Sequence, residues 1–410
     1  MPSVKQPRPR CVDLARRYGA CRRGAGAGRA LAGADWRERL ALSGPEVTPG
    51  GIWLHAASVG EFNSVRLLAE ELARGFPLMV TTNSLTGREL VRGLGHAAAL
   101  APLDVPQAVG RFLDRIRPRV LVTVENELWP NRSAIAAAQG VAQVVVGARM
   151  SQRSALRWGR LPGLIGPMLR RIDALSAQDA GSEARLLKLG LPEAALTPRL
   201  NLKLLGPARV EPGQDGPVRW CTVLAASTHE GEEAPILDAW LAAREAVPQL
   251  RLILAPRHPR RGDAVAALIA ARGLEFSRRS QGATESAPVL LADTLGEMEH
   301  WYHAAGICVT GGSFVEVGGH TPWEPAAWRC AILHGPHVEN HAGDYADLDA
   351  AGAATGCASA DLPQRLVRLV QDAEGQRHMG VAARALLLER AGNPATLVTR
   401  IQDLAQRDLV

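Results

Sequence analysis

The fold of this chain follows from a unit that reads Ile52-Trp-Leu-His-Ala-Ala-Ser-Val-Gly-Glu-Phe-Asn-Ser-Val65. Its apolar run Ile52–Ala57 predicts a buried strand. Apolar residues at helical spacing follow, beginning with Val65, and predict a helix directly after that strand. Ser58 and Glu61 stand between the two elements at the spacing of a helix capping box. The unit therefore reads as strand, capped turn and helix.

The same unit recurs along the chain. Its apolar runs are continuous rather than alternating, which is typical of parallel strands covered on both faces. Repeated strand–helix units favour doubly wound parallel sheets. The first predicted series contains strands at Ile52–Ala57, Pro77–Thr82, Val120–Glu125, Gln143–Gly147 and Ala174–Ala177. The second contains strands at Thr222–Ala226, Leu252–Pro256, Val289–Ala292, Ile307–Thr310 and Ala331–His334.

A Gly- and Pro-rich segment at 206–217 separates the two series and is predicted to be an interdomain linker. We therefore expect α/β domains at 46–205 and 218–390 that face each other across a cleft. A basic arm at 1–45 precedes them, and a helix at 391–410 ends the chain. Ligands of such sheets bind outside the carboxyl ends of the strands.

The charge of the chain is concentrated at its start. Residues 1–40 carry ten Lys/Arg and three Asp/Glu, a net charge of +7 against +6 for all 410 residues. This arm is either drawn to anionic lipid or a solvated, disordered segment. Nucleic acid is a weaker expectation, since no basic stripe interleaved with aromatic residues follows. No apolar run is long enough for a spanning helix or a secretory signal, and the default expectation is a cytoplasmic protein.

Several chemistries lose support. The six cysteines are scattered without Cys-x-x-Cys spacing, and we expect reduced thiols. Neither a Gly-x-x-x-x-Gly-Lys-Ser/Thr loop nor a well-placed Gly-x-Gly-x-x-Gly is present, which disfavours ATPases and dinucleotide enzymes. The histidines lack ligand spacing. We expect no cofactor and no metal.

Four Ser/Thr-x-x-Glu segments follow predicted strands. Each predicts a capping box at a helix start. Helix starts also present free N–H groups to anions, so together they indicate a site for a phosphate or a sugar carboxylate. The segments are Ser58–Glu61, Ser227–Glu230, Thr294–Glu297 and Thr321–Glu324.

Other polar residues at strand ends are candidates for chemistry. Glu61 follows a glycine and is placed to take a proton from an attacking hydroxyl. Glu125 lies in Glu125-Asn-Glu-Leu-Trp-Pro-Asn131, which is either an acidic site or a loop with helix caps. Lys203 could neutralise a leaving phosphate or be an ordinary solvated lysine. Arg257 could meet a phosphate or a base edge, or form a basic turn. The glycine pair Gly311–Gly312 could let the backbone approach a phosphate closely or could form a plain turn.

Taken in order, these segments resemble the bacterial 3-deoxy-D-manno-octulosonic acid (Kdo) transferase family from about Trp36 to the C-terminus. Nine stretches carry the resemblance: His55–Glu61, Thr81–Gly87, Glu125–Asn131, Ala148–Ser154, Ser227–Glu233, Pro256–Pro259, Asp293–Glu297, Gly311–Ser313 and Gly318–Pro325.

The resemblance implies a GT-B fold and an inverting, metal-independent transfer of Kdo from CMP-Kdo to a lipid A precursor (lipid IVA) in lipopolysaccharide synthesis. The site would lie at the cytoplasmic face of the inner membrane, without nucleic acid. Glu61 would be the general base, and Glu125 and Lys203 would stabilise the transition state. CMP would contact Pro256, Arg257, Leu295, Gly296, Glu297, Gly311, Gly312, Ser313, Thr321, Pro322, Trp323 and Glu324.

Two other functions fit the same architecture. One is a GT-B transferase or epimerase that uses a UDP sugar. The other is a non-catalytic nucleotide- or lipid-binding protein attached to the membrane by its basic arm.

Overall fold

The computed structural model describes residues 35–125, 127–213, 215–282 and 287–407. The chain forms two compact units. The first contains the described residues up to Lys203 together with those from Gly392 onward, and the second is Leu204–Ala391. Most of the predicted basic arm at 1–45 lies outside the described residues.

The first unit is built on a parallel sheet of six strands in the order β3-β2-β1-β4-β5-β6. Its strand order reverses beside β1, which pairs with β2 on one side and β4 on the other. The strands are β1 (Ile52–His55), β2 (Leu78–Thr82), β3 (Ala97–Leu100), β4 (Val120–Val124), β5 (Ala142–Ala148) and β6 (Ala174–Ala177). The predicted doubly wound topology is confirmed for this unit.

The helices of this unit lie before, between and after its strands. They are α1 (Trp36–Arg39), α2 (Val59–Ala73), α3 (Leu85–Gly93), α4 (Pro106–Ile116), α5 (Pro130–Ala138), α6 (Gln152–Gly159), α7 (Pro162–Leu169) and α8 (Ala180–Lys188).

The second unit contains a parallel sheet of seven strands in the order β13-β12-β11-β7-β8-β10-β9. Here β7 lies at the reversal, between β11 and β8. The strands are β7 (Thr222–Thr228), β8 (Arg251–Pro256), β9 (Phe276–Arg278), β10 (Val289–Leu291), β11 (Ile307–Thr310), β12 (Ala331–His334) and β13 (Ala354–Gly356).

The described residues of the second unit contain nine α-helices, and one more α-helix follows near the end of the chain. They are α9 (Leu205–Ala208), α10 (Pro217–Trp220), α11 (Glu233–Ala246), α12 (Gly262–Ala270), α13 (Met298–Ala304), α14 (Trp323–Ala327), α15 (Ala342–Ala350), α16 (Leu362–Gln371), α17 (Ala373–Ala391) and α18 (Ala395–Gln406), the last of which belongs to the first unit. Among the described residues, no helix combines the length and apolarity needed to cross a membrane.

The sheet of the second unit is buried on both faces, which explains its continuous apolar strands. Val223 and Ala225 of β7 belong to one core cluster, whereas Leu224 and Ala226 belong to another. Successive side chains of a strand point to opposite faces, so each run must be apolar at every position.

The predicted linker packs as part of the second unit. Arg384 of α17 donates to the carbonyl oxygen of Val210 (2.6 Å), and Arg329 donates to that of Gly213 (2.6 Å). The compact units divide at Lys203, because Leu204 is already buried in a core cluster of the second unit.

Of the four predicted capping boxes, one is a helix start with a side-chain cap. Ser58 Oγ accepts from the backbone N–H of Glu61 (3.2 Å), and α2 begins at the next residue after Ser58. The prediction is wrong at the other three positions, where the helices begin later, at Glu233, Met298 and Trp323, without a side-chain cap.

Candidate active site

Two of the three predicted catalytic residues follow the carboxyl ends of strands of the first unit, and the third, Lys203, comes shortly after a segment that contacts such an end. Glu61 lies in the first turn of α2, after β1, and Glu125 directly follows β4, the neighbour of β1. The segment that leads to Lys203 lies beside β6, because the Leu200 N–H donates to the carbonyl of Ala177 (2.9 Å). The Lys203 residue is exposed. In a doubly wound sheet this edge is the binding edge.

The Glu61 carboxyl is held at a helix start and half-buried. Its Oε2 accepts from the Ala57 N–H (2.8 Å). Burial raises the pKa of Glu61, and the negative charges of Glu125 and Glu127 raise it further against the opposing Ala57 hydrogen bond. A carboxylate with a raised pKa is a better proton acceptor than an exposed one. Glu125 adopts a left-handed backbone conformation (φ 56°), which is strained for a residue with a Cβ.

Glu127 is a functional candidate that the sequence analysis included in the acidic segment Glu125–Asn131 without a role of its own. Its Oε2 accepts from Trp129 Nε1 (2.6 Å) and Asn83 Nδ2 (3.4 Å), and His55 Nε2 lies 3.6 Å away. Burial opposes ionisation, but His55, Trp129 and the positive charge of Arg132 more than offset it and lower the pKa of Glu127 to about 2. This carboxylate therefore remains charged beside Glu61.

His55 is fully buried at the end of β1 and was predicted only as part of a strand. Trp53 Nε1 donates to Thr81 Oγ1 (2.8 Å), and that hydroxyl lies 2.9 Å from His55 Nδ1. Nε2, the other ring nitrogen, faces Glu127. Burial and the charge of Arg132 lower the pKa of His55 to about 4, so the ring is neutral.

The second unit contains a cavity of about 620 Å³ at the binding edge of its sheet. Four residues predicted to contact CMP line it, namely Arg257, Gly296, Thr321 and Glu324. Residues without a predicted role line it as well, among them Ser227, Met298, Tyr302 and His320. The Tyr302 hydroxyl donates to Glu324 Oε2 (3.1 Å) and so fixes this carboxylate against the wall.

Leu295 and Glu297 flank the cavity residue Gly296 (φ +83°). Leu295 is 75% exposed. The Glu297 carboxylate binds Arg279 through Nε (3.0 Å) and Nη2 (2.6 Å), and these bonds lower its pKa to about 2. Because Thr294 also donates to this carboxylate, the side chain of Glu297 is occupied by protein partners.

The Gly311 and Gly312 amides and the Ser313 hydroxyl are bound within the protein. Gly311 N donates to the Ala226 carbonyl (2.8 Å), and Gly312 N donates to a Glu232 carboxylate oxygen (2.8 Å). Ser313 Oγ donates to the Thr310 carbonyl (2.5 Å) and accepts from Gly335 N (2.8 Å). These bonds take up the groups that were expected to approach a phosphate, so the segment shapes the site without offering these donors.

Three further predicted contact residues are largely buried. Trp323 packs in a core cluster of the second unit, and Pro256 and Pro322 are also buried. Only Arg257 of the predicted Pro256–Arg257 pair presents its side chain, which is exposed at the carboxyl end of β8.

The sequence comparison identifies the family. Residues 34–205 match the family described as 3-Deoxy-D-manno-octulosonic-acid transferase (kdotransferase). The chain is 36% identical over 385 residues to the 3-deoxy-D-manno-octulosonic acid transferase of Bordetella pertussis, with 89% of this chain and 90% of that protein covered. It is 32% identical over 382 residues to that of Haemophilus influenzae, with 88% of each covered. The chain belongs to the Kdo transferase family.

Family membership makes the protein a glycosyltransferase and supports Kdo transfer over the two alternative functions. The UDP-GlcNAc 2-epimerase from Neisseria meningitidis bound to UDP-GlcNAc has a similar structure, with a TM-score of 0.55 over 87% of this chain and all of that one. At 12% identity the likeness concerns the fold alone. The predicted GT-B fold of the Kdo transferase is confirmed.

This chain contains an Asp-x-Asp pair, a pattern that can bind a divalent metal ion. The pair is Asp347-Leu-Asp349 in α15, and the sequence analysis did not consider it. Asp347 pairs with Arg390 (2.5 Å), and Asp349 lies 3.2 Å from His334 Nε2. Within the described part of the chain, no group of three His, Cys, Asp or Glu residues is placed to hold a metal ion.

Proposed function

We propose that this Kdo transferase moves Kdo from CMP-Kdo to a lipid A precursor, with inversion and without a metal ion. The observation that carries the proposal is the half-buried Glu61 carboxyl at the binding edge of the first sheet, whose burial and acidic neighbours make it a base. The cavity of the second unit, with Arg257 and Glu324 in its wall, is the proposed donor site.

The proposed chemistry is a single displacement. The acceptor hydroxyl oxygen forms a bond to the anomeric carbon of Kdo while its proton passes to the Glu61 carboxylate. The bond from that carbon to the phosphate oxygen breaks, and its electron pair leaves with CMP. Attack opposite the leaving group inverts the anomeric centre. The transition state is cationic at the sugar and anionic at the phosphate, so we assign the carboxylate of Glu125 to the former and Lys203 to the latter.

The first test is product analysis with CMP-Kdo and a tetraacyl lipid A precursor. We expect mass spectrometry to show added Kdo, with equal yield after removal of divalent ions by a chelator, since charged side chains take the place of a metal. CMP is expected to raise the melting temperature of the protein more than UMP or UDP does. A transfer that requires added Mg²⁺, or a preference for UDP, would contradict the proposal.

The described part of the first unit offers a surface for the membrane that bears such an acceptor. From Arg149 to Arg171, both included, the chain has six arginines and no Asp or Glu. Helix α6 in this segment has no buried residue, and it exposes 65% of Leu156. Leu161 follows with 45% exposed. Arginines beside exposed leucines match a surface of anionic lipid, in which leucines insert and guanidinium groups meet phosphates.

We expect the double substitution Leu156→Ser and Arg160→Ser to weaken binding to phosphatidylglycerol vesicles roughly tenfold, because an inserted leucine and a basic contact are both lost. Vesicle sedimentation at low and high salt measures the effect. The matched control is Arg377→Ser with Val381→Ser on exposed positions of α17, which should bind as the unchanged protein does. Deletion of residues 1–30 measures the share of the basic arm separately. Equal binding by both double variants would refute this surface.

A further inference from the structure

Two histidines form a hydrogen-bonded pair at the binding edge of the second sheet. His229 Nε2 and His320 Nε2 are 2.9 Å apart, and the rings stack with centroids 5.2 Å apart. His229 follows β7 at the strand-order reversal, and His320 follows the Gly318–Gly319 turn. The turn is tied to the neighbouring loop, because Gly319 N donates to the Gly312 carbonyl (2.7 Å). His320 and Arg257 both line the cavity.

The pair is built to share a proton. Since two nitrogens meet directly, one must donate and the other accept, so a neutral pair carries one proton on the axis between them. Burial lowers the pKa of His320 to about 4, and His229 and Arg257 add to the effect. Burial also lowers the pKa of His229, where Glu232 opposes the shift and His258 adds to it. The pair is therefore neutral at pH 7 while the cavity holds no anion.

The charges that face the pair are mostly basic. Arg257, His258 and Arg261 face it from the segment after β8, His341 from the turn before α15, and Glu232 from the start of α11. Arg261 is paired with Glu233, and the Glu232 carboxylate already accepts from the backbone N–H groups of His229, Gly312 and Phe314. Among the described residues, Arg257 has no ion-pair partner, so an added anion would meet positive charge.

We propose that His229 and His320, together with Arg257, form the subsite for the phosphate of CMP, and that the pair takes up a proton when this phosphate binds. The inference rests on the proposed donor site. It adds His229 and His320 to that site and couples CMP binding to the uptake of one proton.

The uptake has a reason in the reaction. The phosphate of a CMP-sugar is a diester with one negative charge, and the departing CMP carries two after its bond to the anomeric carbon breaks. A protonated imidazole beside that phosphate gains more from the dianion than from the diester. The pair would thus favour the leaving group over the substrate, which is the condition for accelerating the bond cleavage.

Calorimetric titration of CMP into the full-length protein, repeated in buffers of different ionisation enthalpy, tests the proposal. We expect proton uptake on CMP binding near pH 7 and none with cytidine, which lacks the phosphate. His229→Gln and His320→Gln should each abolish the uptake and weaken CMP binding roughly ten- to hundredfold, because a charge-assisted hydrogen bond is lost. His378→Gln, an exposed histidine on α17 (71% of the side chain), is the matched control and should change neither quantity.

The outcomes separate this proposal from the one on which it rests. CMP binding without proton uptake, or uptake that persists in both glutamine variants, would overturn the histidine subsite and leave the donor site intact. Uptake caused by free Kdo but not by CMP would assign the pair to the sugar carboxylate instead. Absence of any CMP binding by the unsubstituted protein would contradict the proposed function itself.

Discussion

Replacing Glu61 by glutamine is expected to lower kcat for Kdo transfer about 100- to 10,000-fold, the range typical of a lost general base. The glutamine amide keeps an oxygen at the position that accepts from the Ala57 N–H, so the start of α2 is preserved while the basic group is removed. Initial rates with CMP-Kdo and lipid A precursor measure the change. Affinity for CMP should be unaltered, since Glu61 is not among the residues proposed to bind CMP.

The matched control is Glu70→Gln, a partly exposed carboxylate farther along α2, whose ion pair with Arg66 contributes little to stability. It should retain full activity. A Glu61→Gln enzyme with activity close to that of the unsubstituted protein would exclude Glu61 as the base. A loss that appears equally in Glu70→Gln would point to damage to the helix instead.

The pH dependence of the same reaction carries a second signature of Glu61. A base acts when it is unprotonated, and the pKa of Glu61 is raised by burial and by the charges of Glu125 and Glu127. The rate should therefore fall as pH decreases, and this fall should begin at a higher pH than an exposed glutamate would give. In the Glu61→Gln enzyme, the residual rate should no longer fall with decreasing pH in this range.

A strand could be predicted from the sequence when it is buried on both faces, because such a strand is apolar at every position. The ten predicted strands are central or well-covered runs whose continuous apolar character is visible locally. Three strands were not predicted: Ala97–Leu100, Phe276–Arg278 and Ala354–Gly356. All three lie at sheet edges, and they are short or built from alanine, glycine and polar residues. Strand pairing with a neighbour stabilises them, and that neighbour is distant in sequence.

The Ser/Thr-x-x-Glu pattern shows where local reasoning fails. Ser58 itself is the N-cap of α2, only three residues after β1 ends at His55, so the capping interpretation holds. At Ser227 the backbone instead turns left-handed (φ 56°), still within β7, and α11 starts only at Glu233. At Thr294 the hydroxyl donates to Glu297, whose carboxylate is held by Arg279 from another segment. Long-range partners decide these sites, and the pattern does not contain them.

The same limit applies to the candidate site. Strand ends could be located from the sequence, so Glu61, Glu125 and Arg257 were found with their position at the binding edge. Side chains that support such residues from inside were not. His55 reads as strand filling, although it faces Glu127 from β1. The sequence signal was a lone histidine in an otherwise apolar run. Burying such a polar side chain costs free energy unless it is hydrogen-bonded, so a partner was to be expected.

Glu232 is the buried support of the second unit, and its replacement by alanine should have the largest effect on stability. The carboxylate is fully buried and accepts three backbone N–H groups, from His229 (2.7 Å), Gly312 (2.8 Å) and Phe314 (2.9 Å). Alanine would leave these donors buried without a partner. Breaking such a buried charged network costs about 3–5 kcal/mol. Urea unfolding of the second unit should register a loss of this size.

A local measurement separates this cause from a general loss of packing. Hydrogen exchange of the Gly312 and Phe314 amides should accelerate in Glu232→Ala even at low temperature, while amides in the centre of β8 stay protected. Glu230→Ala, an exposed glutamate two residues earlier, is the matched control and should change stability by less than about 0.5 kcal/mol. A Glu232→Ala protein as stable as this control would mean that other groups satisfy the loop. Because the loop also carries the turn that places His320, a protein that loses this carboxylate should lose CMP affinity together with stability.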